Sequence, residues 1–307
     1  PHQNTQDYFN KVGDDYAYPF ANTVQYFADD EYTFANLECT FSDRSLSPVG
    51  YPTFYFRAPT PYVNILLEGG VDFVTTANNH LNDFGDKGVE DTYATLDNAG
   101  LPYGKVGQAQ VVTTKNGIKI GVYCGFNIND GYFVPTTDEC VNAINQMKAD
   151  GAEYIVMAFH WGKELYYKPT QKMIDLAQAC IDAGADLIYG THPHVLGPIV
   201  EYNGGIIMYS VGNWSFGGNT QPTDQDTAII QVTIKRDVDG SITTEGYDAI
   251  PCCVSSNMSG GVGYNDYKPT PYPEDNEGYK RVLSKLDMNS GWENANKDYS
   301  AWYSAWG

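Results

Sequence analysis

The chain has 307 residues, 42% of them hydrophobic, enough for one large α/β domain or two small ones. Its 38 acidic residues against 18 basic ones give a formal net charge of −20, which repels phosphate backbones, argues against nucleic acid as a partner and suits cations. No run approaches the ~20 apolar residues of a membrane span, and the polar start PHQNTQDYFNK has no apolar signal core, so an export signal is expected to have been removed or to lie outside this sequence.

In chain order, YTFANL (32–37) reads as a buried strand. Thr60-Pro61 opens a short helix, with Thr60 expected as its N-cap and Gly69-Gly70 ending it. VDFVTTA (71–77) is the next strand. Residues 88–99 predict a helix with Val89, Tyr93 and Leu96 on one face and Gly100 as terminator. IKIGVYC (118–124) is a strand, Asp138 is expected to cap a helix carrying Val141, Ile144 and Met147, and EYIVMAF (153–159) is a strand. Thr170 to Ala183 predicts a helix whose inner face holds Met173, Ile174, Ala177, Cys180 and Ile181. DLIYG (186–190) and IIMYSV (206–211) are further strands. Strands alternating with helices imply parallel pairing with right-handed crossovers. TAIIQVTIK (227–235), a turn at Asp239-Gly240 and SITTEGYDAI (241–250) form an antiparallel hairpin. From residue 255 the texture turns to Ser, Gly, Asn, Pro and Tyr, with a short helix near 277–286 and an aromatic end, WENANKDYSAWYSAWG. The segment 255–307 is expected to pack on the main domain as an extension.

Six cysteines, none in a CxxC pair, argue against a thiolate zinc site. Cys124 and Cys180 read as small buried hydrophobes. Twenty-five tyrosines, few lysines and Asn/Gly-rich loops point to an extracytoplasmic protein. There is no dinucleotide loop in a strand–turn–helix context and no GxSxG elbow; Ser215 follows a strand but has no assignable base.

Four of the five histidines follow strand-like runs directly, while His2 lies in the polar start. VTTANNH ends at His80, YIVMAFH at His160, and LIYGTHPH supplies His192 and His194. Ligands of open parallel sheets bind beyond the carboxyl ends of strands, so these rings are expected to converge there with Glu38 of FANLE and Asn213 of YSVGN. Each residue alone would more often be a structural loop residue; the joint placement is the signal. A mixed His/Glu/Asn set fits one or two divalent ions such as Mn, Fe or Zn better than a structural zinc. Two such ions about 3.5–4 Å apart activate water and steady phosphoryl oxygens.

Three blocks resemble the CapA family of poly-γ-glutamate capsule-synthesis proteins: NLECTFSDR (36–44), ANNHLNDFGDKGVEDTYATLDNAGLPYGKVG (77–107), and HWGKELYYKPT (160–170) through DAGADLIYGTHPHVLGPIVEYNGGIIMYSVGNWSFG (182–217). The family is similar to the calcineurin-like metallophosphoesterases. The resemblance implies an α/β, four-layer β-sandwich flanked by helices over 1–254. It implies Glu38 as bridging carboxylate, Asn79, His160, His192 and His194 as metal ligands, and His80 as the acid/base residue; Asn213 is expected to contact substrate. It also implies an opening strand ending in Gly-Asp. Gly13-Asp14 follows no apolar run, so that strand is expected to be missing, by truncation or by loss of the ligand. The implied function is in cell-envelope capsule synthesis with a metallophosphatase-like site, a metal-dependent hydrolase acting on a small-molecule or polymer substrate beside capsule-synthesis partners in the membrane. The alternative is a non-catalytic assembly or ligand-binding component with a degenerate metal site.

Overall fold

The computed structural model describes residues 3–49, 54–128, 135–218, 220–259 and 264–292; His2 and the aromatic end from 293 lie outside them. In chain order the elements are α1 (Gln3–Val12), β1 (Phe34–Asn36), β2 (Thr40–Phe41), β3 (Arg57–Ala58), α2 (Val63–Glu68), β4 (Phe73–Thr75), α3 (Gly85–Ala99), β5 (Tyr103–Gly104), β6 (Ala109–Thr113) and β7 (Lys119–Ile128). They continue with α4 (Thr137–Ala149), β8 (Tyr154–Gly162), α5 (Gln171–Asp182), β9 (Leu187–Thr191), β10 (Ile199–Tyr202), β11 (Gly205–Met208), β12 (Asp226–Arg236), β13 (Ile242–Cys253), β14 (Thr270–Pro271) and α6 (Glu277–Leu286).

A six-stranded sheet of order β10-β11-β9-β8-β7-β6 is the centre of the molecule. Its inner pairs are parallel, as the strand–helix alternation implies, whereas the edge strands β10 and β6 run antiparallel to their neighbours. Each edge strand is joined to its neighbour by a tight turn, which can only reverse the chain. The alternation of side chains along a strand assigns the two faces. In β8, Ile155, Met157, Phe159 and Trp161 turn to a core shared with Ile144 and Met147 of α4 and Ala177 and Cys180 of α5. Tyr154, Val156 and Ala158 turn the other way, into a core shared with Phe73, Ala228, Ile242 and Cys253 of two three-stranded sheets, β1-β4-β5 and β12-β13-β14. Beyond the first of these sheets a third core joins Tyr8 and Val12 of α1, Val63 and Ile65 of α2, and Leu96 of α3 to Val74. The result is four layers: helices, large sheet, small sheets, helices.

Local chemistry moves several boundaries. Helix α4 is capped by Thr136 rather than Asp138, because the Thr136 hydroxyl accepts the Glu139 N–H (3.2 Å) while Glu139 Oε2 accepts the Thr136 N–H (2.7 Å), a reciprocal capping box. Thr60 does not cap α2 either. Asp43 takes both its N–H and its hydroxyl, a 3₁₀ turn covers Thr60–Tyr62, and the α-helix starts at Val63. Thr170 does cap α5, and Gly100 adopts the left-handed conformation that ends α3. The polar-looking start forms helix α1, which buries Tyr8 and Val12, four residues apart. The Tyr8 hydroxyl lies 3.1 Å from Ser215 Oγ, which gives that serine a structural partner. Among the described residues, no helix is long and apolar enough to cross a membrane.

Among the described residues no strand pairs with the outer edge of β1. A cavity of about 500 Å³ occupies that place, lined by Phe34 of β1, Tyr154, Val156 and Leu187 of the large sheet, and Ala228 and Val232 of β12. One end of it reaches Glu38, His192 and His194.

Helix α6 is fastened by charge. Lys285, 3% exposed, donates to both oxygens of Asp224 (2.7 Å each) and to Asp226 Oδ2 (2.6 Å), and Arg281 makes a fork to Asp226 at 2.6 Å. Burial pushes the Asp226 carboxyl up, but Arg281 and Lys285 outweigh it and hold it below the usual range. Lys285→Met would leave the buried Asp224 without its cation and Asp226 with Arg281 alone, and is expected to lower the unfolding free energy in urea by about 3–5 kcal/mol. Lys280→Ala, on the solvent side of the same helix, should leave the midpoint in place; equal midpoints for the two variants would remove the charge cluster from the account.

Asp186, at the entry of β9, accepts the Ile155 N–H at 2.7 Å, yet burial pushes its carboxyl up to about 6 against that hydrogen bond and the Lys148 charge. A folded-state value above the unfolded one means that the protonated form stabilises the fold fully below the unfolded pKa, and this contribution is lost as pH rises through the folded one. Wild-type protein is therefore expected to gain on Asp186→Asn in thermal midpoint between pH 7 and pH 5. Parallel pH curves for the two proteins would contradict this.

Candidate metal centre

The strand alternation that builds the core also aims the histidines. His160 continues the series Tyr154, Val156, Ala158 on the inner face of β8, so it enters the space between the layers at 1% exposure. Its parallel neighbour in register is Thr191, the last residue of β9, whose hydroxyl lies 2.9 Å from His160 Nδ1. That contact turns Nε2 outward, to 2.7 Å from Asn79 Oδ1 and 3.1 Å from His192 Nδ1.

Glu38 lies two residues beyond β1, and Asn36, the last residue of that strand, donates to Glu38 Oε2 at 3.0 Å. Asn36 Oδ1 in turn accepts from Thr75 (3.1 Å) and Asn78 (3.2 Å). Asn78 also donates to the Leu37 carbonyl and accepts the His80 N–H, so one amide frame sets both Glu38 and the loop bearing Asn79 and His80. His194 is held by Asn213, which lies 2.7 Å from its Nδ1 and donates to its carbonyl at 3.2 Å. Asn213, expected at the substrate, thus spends both side-chain groups on His194. The Phe216 ring stacks on His194 at 5.1 Å.

The four histidines expected to converge do so around Glu38. Glu38 Oε1 lies 3.6 Å from His160 Nε2, 3.6 Å from His194 Nε2 and 4.0 Å from His80 Nε2. That oxygen is buried and has no hydrogen-bond partner. Ligand atoms about 2.0–2.2 Å from one ion stand about 3–4 Å apart, so these spacings are those of neighbouring ligands on a coordination shell. The chemistry agrees. Burial drives the His160 and His192 rings well below the usual imidazole range, and neighbouring imidazoles push the same way, which leaves nitrogen lone pairs available to a cation. Glu38, His160 and His192 offer one ligand atom each within 4.8 Å of one another. The residues fit a divalent ion.

His80 differs from His160 and His192. Burial lowers its pKa, but the Asp83 hydrogen bond at 2.9 Å and the charges of Glu38, Asp83 and Glu164 outweigh it and raise it overall. Asp83 Oδ2 also accepts the Phe56 N–H at 2.7 Å, so the orienting carboxylate is itself fixed. The Phe56 ring packs against the imidazole at 4.5 Å.

One acidic residue here was not foreseen. Glu164, in the turn after β8, forms with His192 and His194 a second set of ligand atoms within 4.8 Å of one another. Nothing in HWGKELYY distinguishes that glutamate from a solvated loop residue except its distance of four positions from His160.

The family profile described as "Bacterial capsule synthesis protein PGA_cap" matches residues 1–217. The chain is 29% identical to the capsule biosynthesis protein CapA of Bacillus anthracis over 255 residues, which is 76% of this chain and 61% of that protein. It is 28% identical to the PGA biosynthesis protein CapA of Bacillus subtilis (strain 168) over 249 residues, 75% of this chain and 61% of that one. The match thus spans about three fifths of the length of these relatives. Among solved structures, a novel phosphatase from Mycoplasma pneumoniae shares the fold with a TM-score of 0.50 at 15% identity, covering 78% of this chain and 89% of that one.

Proposed function

As a member of the bacterial capsule synthesis protein PGA_cap family, this chain, we propose, serves poly-γ-glutamate capsule synthesis in the cell envelope through a divalent-metal centre that hydrolyses a phosphoester-like bond. The observation that carries this reading is the unpartnered Glu38 oxygen among three imidazoles drawn from three separate parts of the chain. A structural cluster would satisfy that oxygen with donors of its own. Here the surrounding nitrogens stand at ligand spacing instead.

The roles follow from position. Glu38, Asn79, His160, His192 and His194 are the ligands of the metal centre. A bound divalent ion would supply Lewis acidity and lower the pKa of a bound water. Thr191 and Asn213 fix the two histidines that flank Glu38. His80, oriented by Asp83 and facing the centre, donates a proton to the leaving oxygen. The surface is acidic overall, so a polyanionic chain is repelled everywhere except where a cation offsets it; the metal centre is where an anionic polymer end or activated precursor would dock.

Two measurements test this. With Mn²⁺ and p-nitrophenyl esters of phosphate, wild-type protein is expected to turn over. His80→Asn should lose about 10²–10⁴-fold in kcat with Mn²⁺ affinity intact, while Glu38→Gln should lose affinity itself. Wild-type protein that neither binds Mn²⁺ nor hydrolyses the ester would sink the enzymatic reading. In an encapsulated host lacking its own copy, the double variant His192→Ala/His194→Ala should fail to restore poly-γ-glutamate output; full restoration would separate the metal centre from capsule synthesis.

A further inference from the structure

The turn after β8 is strapped onto the turn that carries the paired histidines. β8 ends at Gly162, whose φ of 88° swings the chain back. Leu165, three residues on, donates its N–H to the carbonyl of Pro193 at 2.7 Å, between His192 and His194. Leu165, His192 and His194 all adopt positive φ, at 60°, 97° and 56°. Such backbone is costly for residues with a Cβ and persists where the surroundings over-determine it. Three instances lie on the two turns that the hydrogen bond joins. Glu164 sits between Gly162 and Leu165, and this clasp brings its carboxylate to His192 and His194, the three ligand atoms lying within 4.8 Å of one another.

Two candidate ligand sets therefore overlap on His192: Glu38–His160–His192 and Glu164–His192–His194. A neutral imidazole has one free lone pair, so His192 serves one ion at a time. Glu38 Oε1, a member of the first set, stands at 3.6 Å from His160 of that set and equally at 3.6 Å from His194 of the second. Resting on the metal-centre reading above, we propose that Glu164 is the second carboxylate of the centre: with His194 it holds a second cation, beside the one held by His160, His192 and Asn79, and Glu38 lies between them. Glu38 alone would leave two dications facing a single negative charge. Glu164 supplies another, and the backbone clasps its turn to the histidine pair through the bond from Leu165 to Pro193.

The test is metal stoichiometry rather than turnover. Chelator-stripped wild-type protein and Glu164→Gln are titrated with Mn²⁺ by calorimetry and followed by electron paramagnetic resonance. Wild-type protein is expected to take up two equivalents and show a spin-coupled signal. Glu164→Gln, similar in shape and able to keep the turn, should retain one equivalent, bind the other at least tenfold more weakly and show the hyperfine pattern of an isolated ion. The metal-free thermal midpoint of the variant should match wild type, which a merely structural glutamate would not allow. A variant indistinguishable from wild type in stoichiometry, affinity and spectrum overturns the role of Glu164 alone. Wild-type protein that binds no Mn²⁺ overturns the metal centre beneath it.

Discussion

A carboxylate oxygen withdrawn from water and given no donor is the constraint on which the site turns. Leaving such a group unpaired costs about 1–3 kcal/mol, more when charged. Glu38 Oε1 is held in that condition by an amide frame that binds its other oxygen and ties the neighbouring loop to it. The protein places imidazole nitrogens around it at ligand spacing, beyond hydrogen-bond reach, and burial holds two rings of the cluster, His160 and His192, well below the usual imidazole range. Each feature separately is a small instability. Together they describe a space whose missing charge is positive.

The histidines were legible because strand geometry and function use the same periodicity. A run such as YIVMAFH puts its even positions on one face, and His160 inherits the direction set by Val156 and Ala158. Thr191 beside it is a register neighbour, and register also follows from the strand pattern. Strand pattern and the turn at Asp239-Gly240 likewise placed the β12–β13 hairpin.

Other parts were not legible, for physical reasons. Glu164 reaches the site through a left-handed turn and one backbone hydrogen bond to Pro193, and neither leaves a mark in residue type, since Leu165 is an ordinary residue in an unusual conformation. Helix α1 is short and mostly polar, and its two buried residues make sense only once Tyr267 and Ser215 are beside them. Thr136 and Asp138 are both acceptable helix caps, and the choice is made by Glu139, three residues after the threonine. The antiparallel edges β6 and β10 depend on turn length rather than on composition.

The charged cluster under helix α6 extends further than the helix. Asp224, which receives Lys285, also accepts the Tyr167 hydroxyl at 2.8 Å, and Tyr167 lies three residues beyond Glu164 on the same turn. The Lys285 ammonium rests over the Tyr167 ring at 5.3 Å. Helix α6 and the histidine end of the molecule are therefore joined through Tyr167. By thermodynamic linkage, ordering that turn and retaining the helix reinforce each other: whatever steadies Tyr167 slows amide exchange along α6, and fraying of α6 is transmitted to the loop that carries Glu164.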